Sequence, residues 1–529
     1  MCGIAVAIDW EGAEGVVRRL VAGVFHRGDV TDPMVAPRPN TVMCTRRLRI
    51  VDPDRAVQPQ ASPDGRLLLL LNGEIYNHAE LRAELVRRGV TFKTESDTEV
   101  LAAALQCWGI GVLQRLVGMY AFVALDVVSG DFLAARDPFG VKPLYLVQSG
   151  TGYLFCSEIK PLLTAAETGD VLLLPPGYLL TRTQCAPFVD VLAASSAPSS
   201  LGSDEELDRL LSEAVRIRLP PGLPAAILFS GGIDSTLIAH YARRFRPETP
   251  GYFLGGPDAP DYDYAARYAD RTGLDFRIVP FAPHGAETAA LIDDVVATTE
   301  TFEPLVVRSA LCSFLVARAI HADGFRVALC GEGADELFCG YRPLEMIFAE
   351  GRALGDPVRE QCLSLMHRTN LQRVDRCSMH FQLETREPFL DPSIVRYALT
   401  LDAASLVQEV QGDPMGKMPL RRLYDLYPDA LPRSIRDRQK TPFNEGTGFD
   451  VSQNDSPWLT LADAAISDRE LADGKREFAP FGITTKEELL YIRKLARSMD
   501  ISRVPHLCSR ARIRFPKISR MDRLSAYIA

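Results

Sequence analysis

The stretch Ser230-Gly231-Gly232-Ile233-Asp234-Ser235 lies between an apolar run, AAILF, and a helical pattern, STLIAHYARRF. A glycine pair at such a strand-to-helix turn lets the backbone approach an anion closely. The helix N-terminus adds unpaired N–H groups and a favourable dipole. Ser230 and Ser235 add hydroxyl donors. A second turn of this kind follows FRVALC, as Gly331-Glu332-Gly333-Ala334-Asp335-Glu336. In a parallel sheet both turns fall at the carboxyl ends of strands, where ligands bind. Asp234 and Asp335 then have the chemistry to share Mg²⁺, which takes hard oxygen ligands and bridges phosphates. The chain has no GxxxxGK[ST] segment, so the common nucleotide-hydrolysis loop is absent. At the other end of the chain, Cys2 stands directly behind Met1. Taken alone, a cysteine there reads as a buried strand residue.

The elements that must carry these turns follow from periodicity. Residues 204 onward alternate helix (EELDRLLSEAVRIR), strand (AAILF), helix, strand (GYFLG), helix (YAARYADRTG) and strand (FRIVPF), which predicts a doubly wound parallel α/β sheet. From about 340 the pattern is mainly helical. Residues 1–190 differ: short apolar runs such as GIAVAI, RLLLLLNGEIY and AFVALDVV alternate with Gly, Asp and Pro turns. Two helical patterns, NHAELRAELVRRG and SDTEVLAAALQCWG, interrupt them, with Asn77 and Ser96 or Asp97 as candidate caps. Strands broken by paired helices predict a layered α+β domain. Between the halves, 191–203 is small and polar and reads as a linker, leaving 204–529 as the second domain.

Bulk composition sets the limits. A chain of 529 residues is too long for one ordinary core, and 47% hydrophobic with 24% charged residues describes a soluble globular protein. A net charge of -9 offers no basic footprint for nucleic acid. The apolar runs noted are too short or too broken by proline to span a bilayer, and the first twenty residues do not read as a signal peptide. Eleven scattered cysteines without a CxxC pair fit reduced thiols in a cytoplasm. Lysine is scarce, with nine in the chain, so a lysine inside a motif carries extra weight.

SGGIDS resembles the signature of the N-type ATP pyrophosphatases, and together with GEGADELFCGY it resembles the synthetase domain of glutamine-dependent asparagine synthetases. Further matches are PDYDYAARYADRTGLDF, VVRSAL, RVDRCSMHFQLETREPFLD, LPRSIRDRQKTPFNEGTGF and TKEELLYIRKL. In the first half CGI, HRG, RRLRIVD, LNGEIYN, SDTE and RDPFGVKPLY resemble a class II glutaminase of the N-terminal-nucleophile type. The resemblance implies an αββα sandwich followed by a PP-loop ATP pyrophosphatase domain of the adenine-nucleotide α-hydrolase type. It implies that Cys2, freed of Met1, is a nucleophile whose own α-amine, with a pKa near ~8, takes the thiol proton. It assigns the oxyanion hole to Asn72 and Gly73, the glutamine carboxylate to Arg47, the ammonium side to Glu74 and Asp97, and a pocket wall to Leu48, Arg49, Ile50 and Val51. Leu228, Ser230, Gly231, Gly232, Asp234, Ser235, Leu254, Cys330 and Gly331 match ATP positions. Glu332 matches a residue tied to the acyl-adenylate, and Lys440 one that stabilises charge. ATP, Mg²⁺, glutamine and a carboxylic-acid acceptor are the implied reactants. No nucleic acid or membrane is expected as a partner, and a homodimer is the assembly considered.

Four positions depart from that pattern: HRGDV stands for HRGPD, Cys330 for serine, Cys339 for glycine, and Glu387 for valine. Three readings follow. One is asparagine synthesis from aspartate. The second is amidation of another carboxylic acid, or its cyclisation, the latter disfavoured by the retained Cys2. The third, a silent homologue, is opposed by intact Cys2, Asn72, Asp234, Asp335 and Lys440.

Overall fold

The computed structural model describes residues 2–190, 202–450, 452, 455–508 and 513–516. Met1 and most of the expected linker (191–201) lie outside them. In the first half, two antiparallel sheets face each other. The strand Cys2–Ile8 lies inside one sheet, between Gly152–Cys156 and Thr41–Arg47. The strand Leu67–Ile75 lies inside the other, between Gly118–Asp126 and the short Gln60–Ala61. All seven residues of Cys2–Ile8 are buried because each face has a cover. Side chains alternate, so Ile4, Val6 and Ile8 meet Leu70, Ala121 and Val123 between the sheets. Ala5 and Ala7 lie beneath the helices Ala13–Gly23 and Ile159–Ala165. On the far side Leu69 and Leu71 pack under His78–Arg87 and Asp97–Trp108. The layer order is helix, sheet, sheet, helix.

Ser96 caps the second of those helices, accepting a hydrogen bond from the Thr98 N–H. Asn77 stands at the N-cap of the first but makes no cap bond. Its amide instead spans the loop 115–117, donating to the Arg115 carbonyl and accepting from the Val117 N–H.

The second half is built on a parallel sheet in the order Phe276–Val279, Gly251–Leu254, Ala225–Leu228, Val327–Leu329, Glu384–Arg386. Helices cover both faces: Ile227 and Leu329 share a core with Asp204–Arg218 and Ile233–Phe245, while Ala226 and Ala328 share one with Pro304–Ala322. That last helix is long and apolar enough to cross a membrane, yet 67% of its most apolar window is buried inside the protein. It packs against Asn370–His380 and is a core helix. The edge strand Glu384–Arg386 carries no apolar signal, being three residues long with two charges. Beyond residue 340 helices dominate among the described residues, with a small hairpin formed by Gln408–Val410 and Asp413–Met415.

Candidate active sites

Cys2 opens its strand opposite Arg47 and is 3% exposed. Its backbone nitrogen donates to Asn72 Oδ1 at 3.0 Å. That bond fixes which end of the Asn72 amide is which. The other end, Nδ2, is buried and has no partner among the described residues. A buried donor left unpaired costs about 1–3 kcal/mol, and beside a thiol it has the chemistry to receive a developing oxyanion. Gly73 follows at φ 142°, where a Cβ would lie 2.0 Å from the Met119 carbonyl oxygen. Only glycine lets the two strands pair there.

Burial raises the Cys2 thiol above its ordinary range and Asp32 adds to this, while Arg47 and the Leu48 N–H oppose it. The thiol therefore needs a base close by. Arg47 does not stand free: its guanidinium grips Asp32 through Nε at 2.8 Å and Nη2 at 3.0 Å. Asp32 also accepts the Gln58 N–H at 3.0 Å, and the Gln58 amide stands 3.7 Å from the Cys2 sulfur. Gln58 is locked to Leu71 by two hydrogen bonds, of 3.2 and 2.8 Å. Asp97 accepts the Ile75 N–H at 2.9 Å. The sequence alone does not mark Asp32 or Gln58. HRGDVTDP and VQPQ hold no spacing that announces them, and only the folded sheet brings them to the sulfur.

The second site forms where the strand ends converge. Gly231 has φ 70° and presses on the next helix, a Cβ there lying 2.6 Å from the Ala265 nitrogen. Ser230 and Ser235 close the turn on themselves, with hydroxyls 3.1 Å apart. A Cβ on Gly331 would lie 2.9 Å from the Asp234 Cβ, so glycine brings the two loops together. Leu228 and Leu254 end neighbouring strands beside them. Asp234 and Asp335 then share two ammonium groups. Lys417 Nζ lies 2.6 Å from Asp234 and 2.5 Å from Asp335. Lys440 Nζ lies 2.8 Å from Asp335 and 3.6 Å from Asp234. Against the pull of burial, the two lysines hold the Asp335 carboxyl down at about 2. Asp234 Oδ1 is buried and makes no hydrogen bond among the described residues. GDPMGKMPL carries no motif that marks Lys417, and the scarcity of lysine, nine in the chain, is the one signal that points to it.

Residues 206–355 and 349–500 match the asparagine synthase family, and residues 1–172 match the glutamine amidotransferase domain. The chain belongs to the asparagine synthase family. It is 31% identical to a probable asparagine synthetase [glutamine-hydrolyzing] of Schizosaccharomyces pombe, an alignment covering 94% of this chain and 93% of that protein. It is 30% identical to asparagine synthetase [glutamine-hydrolyzing] 1 of Saccharomyces cerevisiae, covering 93% and 92%. With asparagine synthetase [glutamine-hydrolyzing] 1 of Arabidopsis thaliana it shares 29%, over 93% and 85%.

In this asparagine synthase family member the two sites adjoin one buried seam. Leu48, Ile50, Met119 and Val141 of the amidotransferase half belong to the same apolar cluster as Ile233, Leu390 and Ile394 of the synthase half. Val51 packs against it. Around that cluster run buried ion pairs. Arg27 holds Asp375 and Glu158, each at 3.0 Å, and Arg376 holds Glu158 at 3.1 Å and Glu300 at 2.9 Å. Glu74, expected on the glutamine ammonium, pairs with Arg386 across the seam at 3.0 Å. Burial and Asp97 push its carboxyl upward, with Arg386 opposing. Arg49, expected in the pocket wall, instead turns to Asp29 at 3.0 Å, and Arg326 meets the same carboxylate at 2.9 Å. Asp29 is the departure in HRGDV, and it ties the two halves together. Glu332 pairs with Arg373 in the synthase half. The other departures are buried: the Cys330 thiol points at Glu387 Oε1 at 3.8 Å, and Cys339 adopts φ 59°.

Proposed function

We propose that the protein makes asparagine from aspartate, with glutamine as nitrogen donor and ATP as the activating substrate. The observation that carries this is the pairing of two assembled sites, a thiol beside an unpaired amide donor and an aspartate pair beneath two lysines, on one seam. Once Cys2 is the terminal residue, the nitrogen held by Asn72 becomes an amine and takes the thiol proton. The sulfur attacks the glutamine carboxamide, and Asn72 Nδ2 receives the charge that develops on its oxygen. Ammonia leaves with that proton, and water releases glutamate from the thioester. Arg47 exchanges Asp32 for the glutamine carboxylate, and Glu74 and Asp97 face the ammonium.

In the second site the aspartate side-chain carboxylate displaces pyrophosphate from ATP, and ammonia then displaces AMP. The SGG turn holds phosphate through its N–H groups, and Lys417 and Lys440 offset charge on the leaving pyrophosphate. The unpaired Asp234 oxygen and the adjoining Asp335 would hold Mg²⁺, which would supply neutralising charge for the phosphates there. The apolar seam keeps ammonia unprotonated and away from water between sites. The same reading takes the protein to be cytoplasmic, and a homodimer, which light scattering on the purified protein tests.

The deciding experiment supplies glutamine, ATP, Mg²⁺ and aspartate and follows glutamate, AMP, pyrophosphate and asparagine. Cys2→Ala is expected to abolish glutamine-dependent product and to keep the ammonia-dependent reaction. Pyrophosphate released with another acid but not with aspartate would reject the acceptor.

A further inference from the structure

Glu387 follows the edge strand Glu384–Arg386 at the carboxyl end of the parallel sheet, one strand beyond Cys330. It is 3% exposed. Its neighbouring carboxylates are all engaged. Glu332 holds Arg373, Asp234 and Asp335 hold the two lysines, and Glu336 accepts from Tyr341 at 2.7 Å and Asn370 at 2.8 Å. Among the described residues Glu387 has no ion pair within bonding distance, and the Cys330 thiol is the one donor to its side chain. A thiol is a weak donor, so this buried carboxylate stands underused. Two of the four departures from the family pattern thus touch each other.

Its surroundings place it where nitrogen must arrive. The charged and titratable groups that act on it are Lys142 from the amidotransferase half, Arg218, Asp375, Glu332, Cys330 and Tyr76. Lys142 is fully buried on the seam, 3.6 Å from Asp375. The preceding residue, Arg386, reaches Glu74 beside the thiol site. Glu387 therefore lies between the seam and the Glu332 turn.

We propose that Glu387 is a catalytic base of amide formation, taking the proton that ammonia must lose on adding to the activated acyl carbon. The proposal rests on the amide-forming reaction assigned above. The nitrogen lone pair forms the C–N bond and leaves a positively charged nitrogen. One N–H proton passes to a Glu387 carboxylate oxygen. The C–O bond to AMP then breaks, AMP departs with the bonding electrons, and Glu387 returns its proton to solvent. Burial pushes the Glu387 carboxyl up to about 7 against Lys142 and Arg218, a basicity suited to accepting a proton near neutral pH.

The test uses the full-length protein and Glu387→Gln, with Glu387→Asp as the conservative partner. ATP–pyrophosphate exchange with aspartate reports the first half-reaction and the integrity of the fold. A chase of the preformed acyl-adenylate with ammonia, scaled to free NH3, reports the second. Glu387→Gln is expected to keep exchange within about twofold and to slow the chase roughly 10²-fold, the lower bound for a lost general base. The wild-type chase rate is expected to rise with pH through about 7 as the carboxylate forms, and this limb is expected to vanish in Glu387→Gln and to persist in Glu387→Asp. An unchanged chase overturns the proposal. So does a tenfold rise in the aspartate KM of exchange with a chase slowed no further, which would make Glu387 a binder of the acceptor's ammonium. Failure of exchange in wild type would instead reject the assigned reaction.

Discussion

Replacing Lys417 by methionine isolates what the buried ammonium does. Lys417 is 2% exposed, with carboxylate oxygens at 2.6 and 2.5 Å. At an effective dielectric of about 20, each such contact is worth about 6 kcal/mol before desolvation. Removing a buried lysine from water costs several kcal/mol, and removing one partner of such a group destabilises by about 3–5 kcal/mol. Lys440 still serves Asp335 at 2.8 Å, so we expect the lower end, about 3 kcal/mol. At roughly 2–4 °C per kcal/mol for a large domain, the melting temperature falls by roughly 6–12 °C.

Lys440→Met is the matched control. Its side chain is 32% exposed and its second contact is 3.6 Å, so its removal is expected to cost less than half as much stability. Both variants are expected to lose ATP–pyrophosphate exchange, because on the proposed reaction each removes a cation that offsets charge on the leaving pyrophosphate. With Lys417 gone, the two carboxylates repel each other, so Mg²⁺ alone is expected to raise the melting temperature of the Lys417→Met variant more than that of wild type. Calorimetry with and without Mg²⁺, beside exchange assays, reads all three quantities. A Lys417→Met protein that melts with wild type, with no larger response to Mg²⁺, would refute the shared-lysine account of this site.

Gly73→Ala places a Cβ 2.0 Å from a backbone oxygen at φ 142°; glutaminase turnover is expected to fall at least 10²-fold while ammonia-dependent synthesis changes little, measured as glutamate against AMP release. Arg386→Met leaves Glu74 and Glu384 buried without this guanidinium; melting is expected to fall by the equivalent of about 3–5 kcal/mol, and glutamate formed per asparagine is expected to rise above one.

Most of the architecture is legible in the chain because buried strands and amphipathic helices impose different periods. GIAVAI and AAILF emerge as strands because both faces are covered, so continuous apolar runs are required. Glu384–Arg386 is invisible to that logic: its charges are satisfied by each other and by Glu74 of the other half of the protein, not by water. The site divides the same way. Cys2, Asn72, Asp234 and Asp335 lie in dense local motifs. Asp32, Gln58 and Lys417 act through neighbours remote in sequence, and no local pattern encodes a register such as Cys2 opposite Arg47. The departures are instructive for the same reason. As single letters, Asp29, Cys330 and Glu387 are compatible with drift and with function alike. In three dimensions Asp29 gains Arg326, and Cys330 gains Glu387.

The seam also shows why the two halves should communicate. A wholly apolar interface of this size would serve an ammonia path and would slide at little cost. Buried ion pairs add little net stability, yet each is costly to separate once formed. Arg27 is fully buried and binds Glu158 of its own half and Asp375 of the other. Arg386 binds Glu384 on its own strand and Glu74 beside the thiol site. Displacement of either half therefore strands at least one charge in a dry environment, and the arrangement favours a single register. Arg386 carries a further consequence, since it is bonded directly to Glu387. If glutamine draws Glu74 toward its ammonium, Arg386 loses one carboxylate and keeps Glu384, and the strand end bearing Glu387 feels the change one residue away. On the proposed reaction, occupancy of the thiol site is therefore expected to alter the geometry at Glu387 through one side chain and one peptide bond.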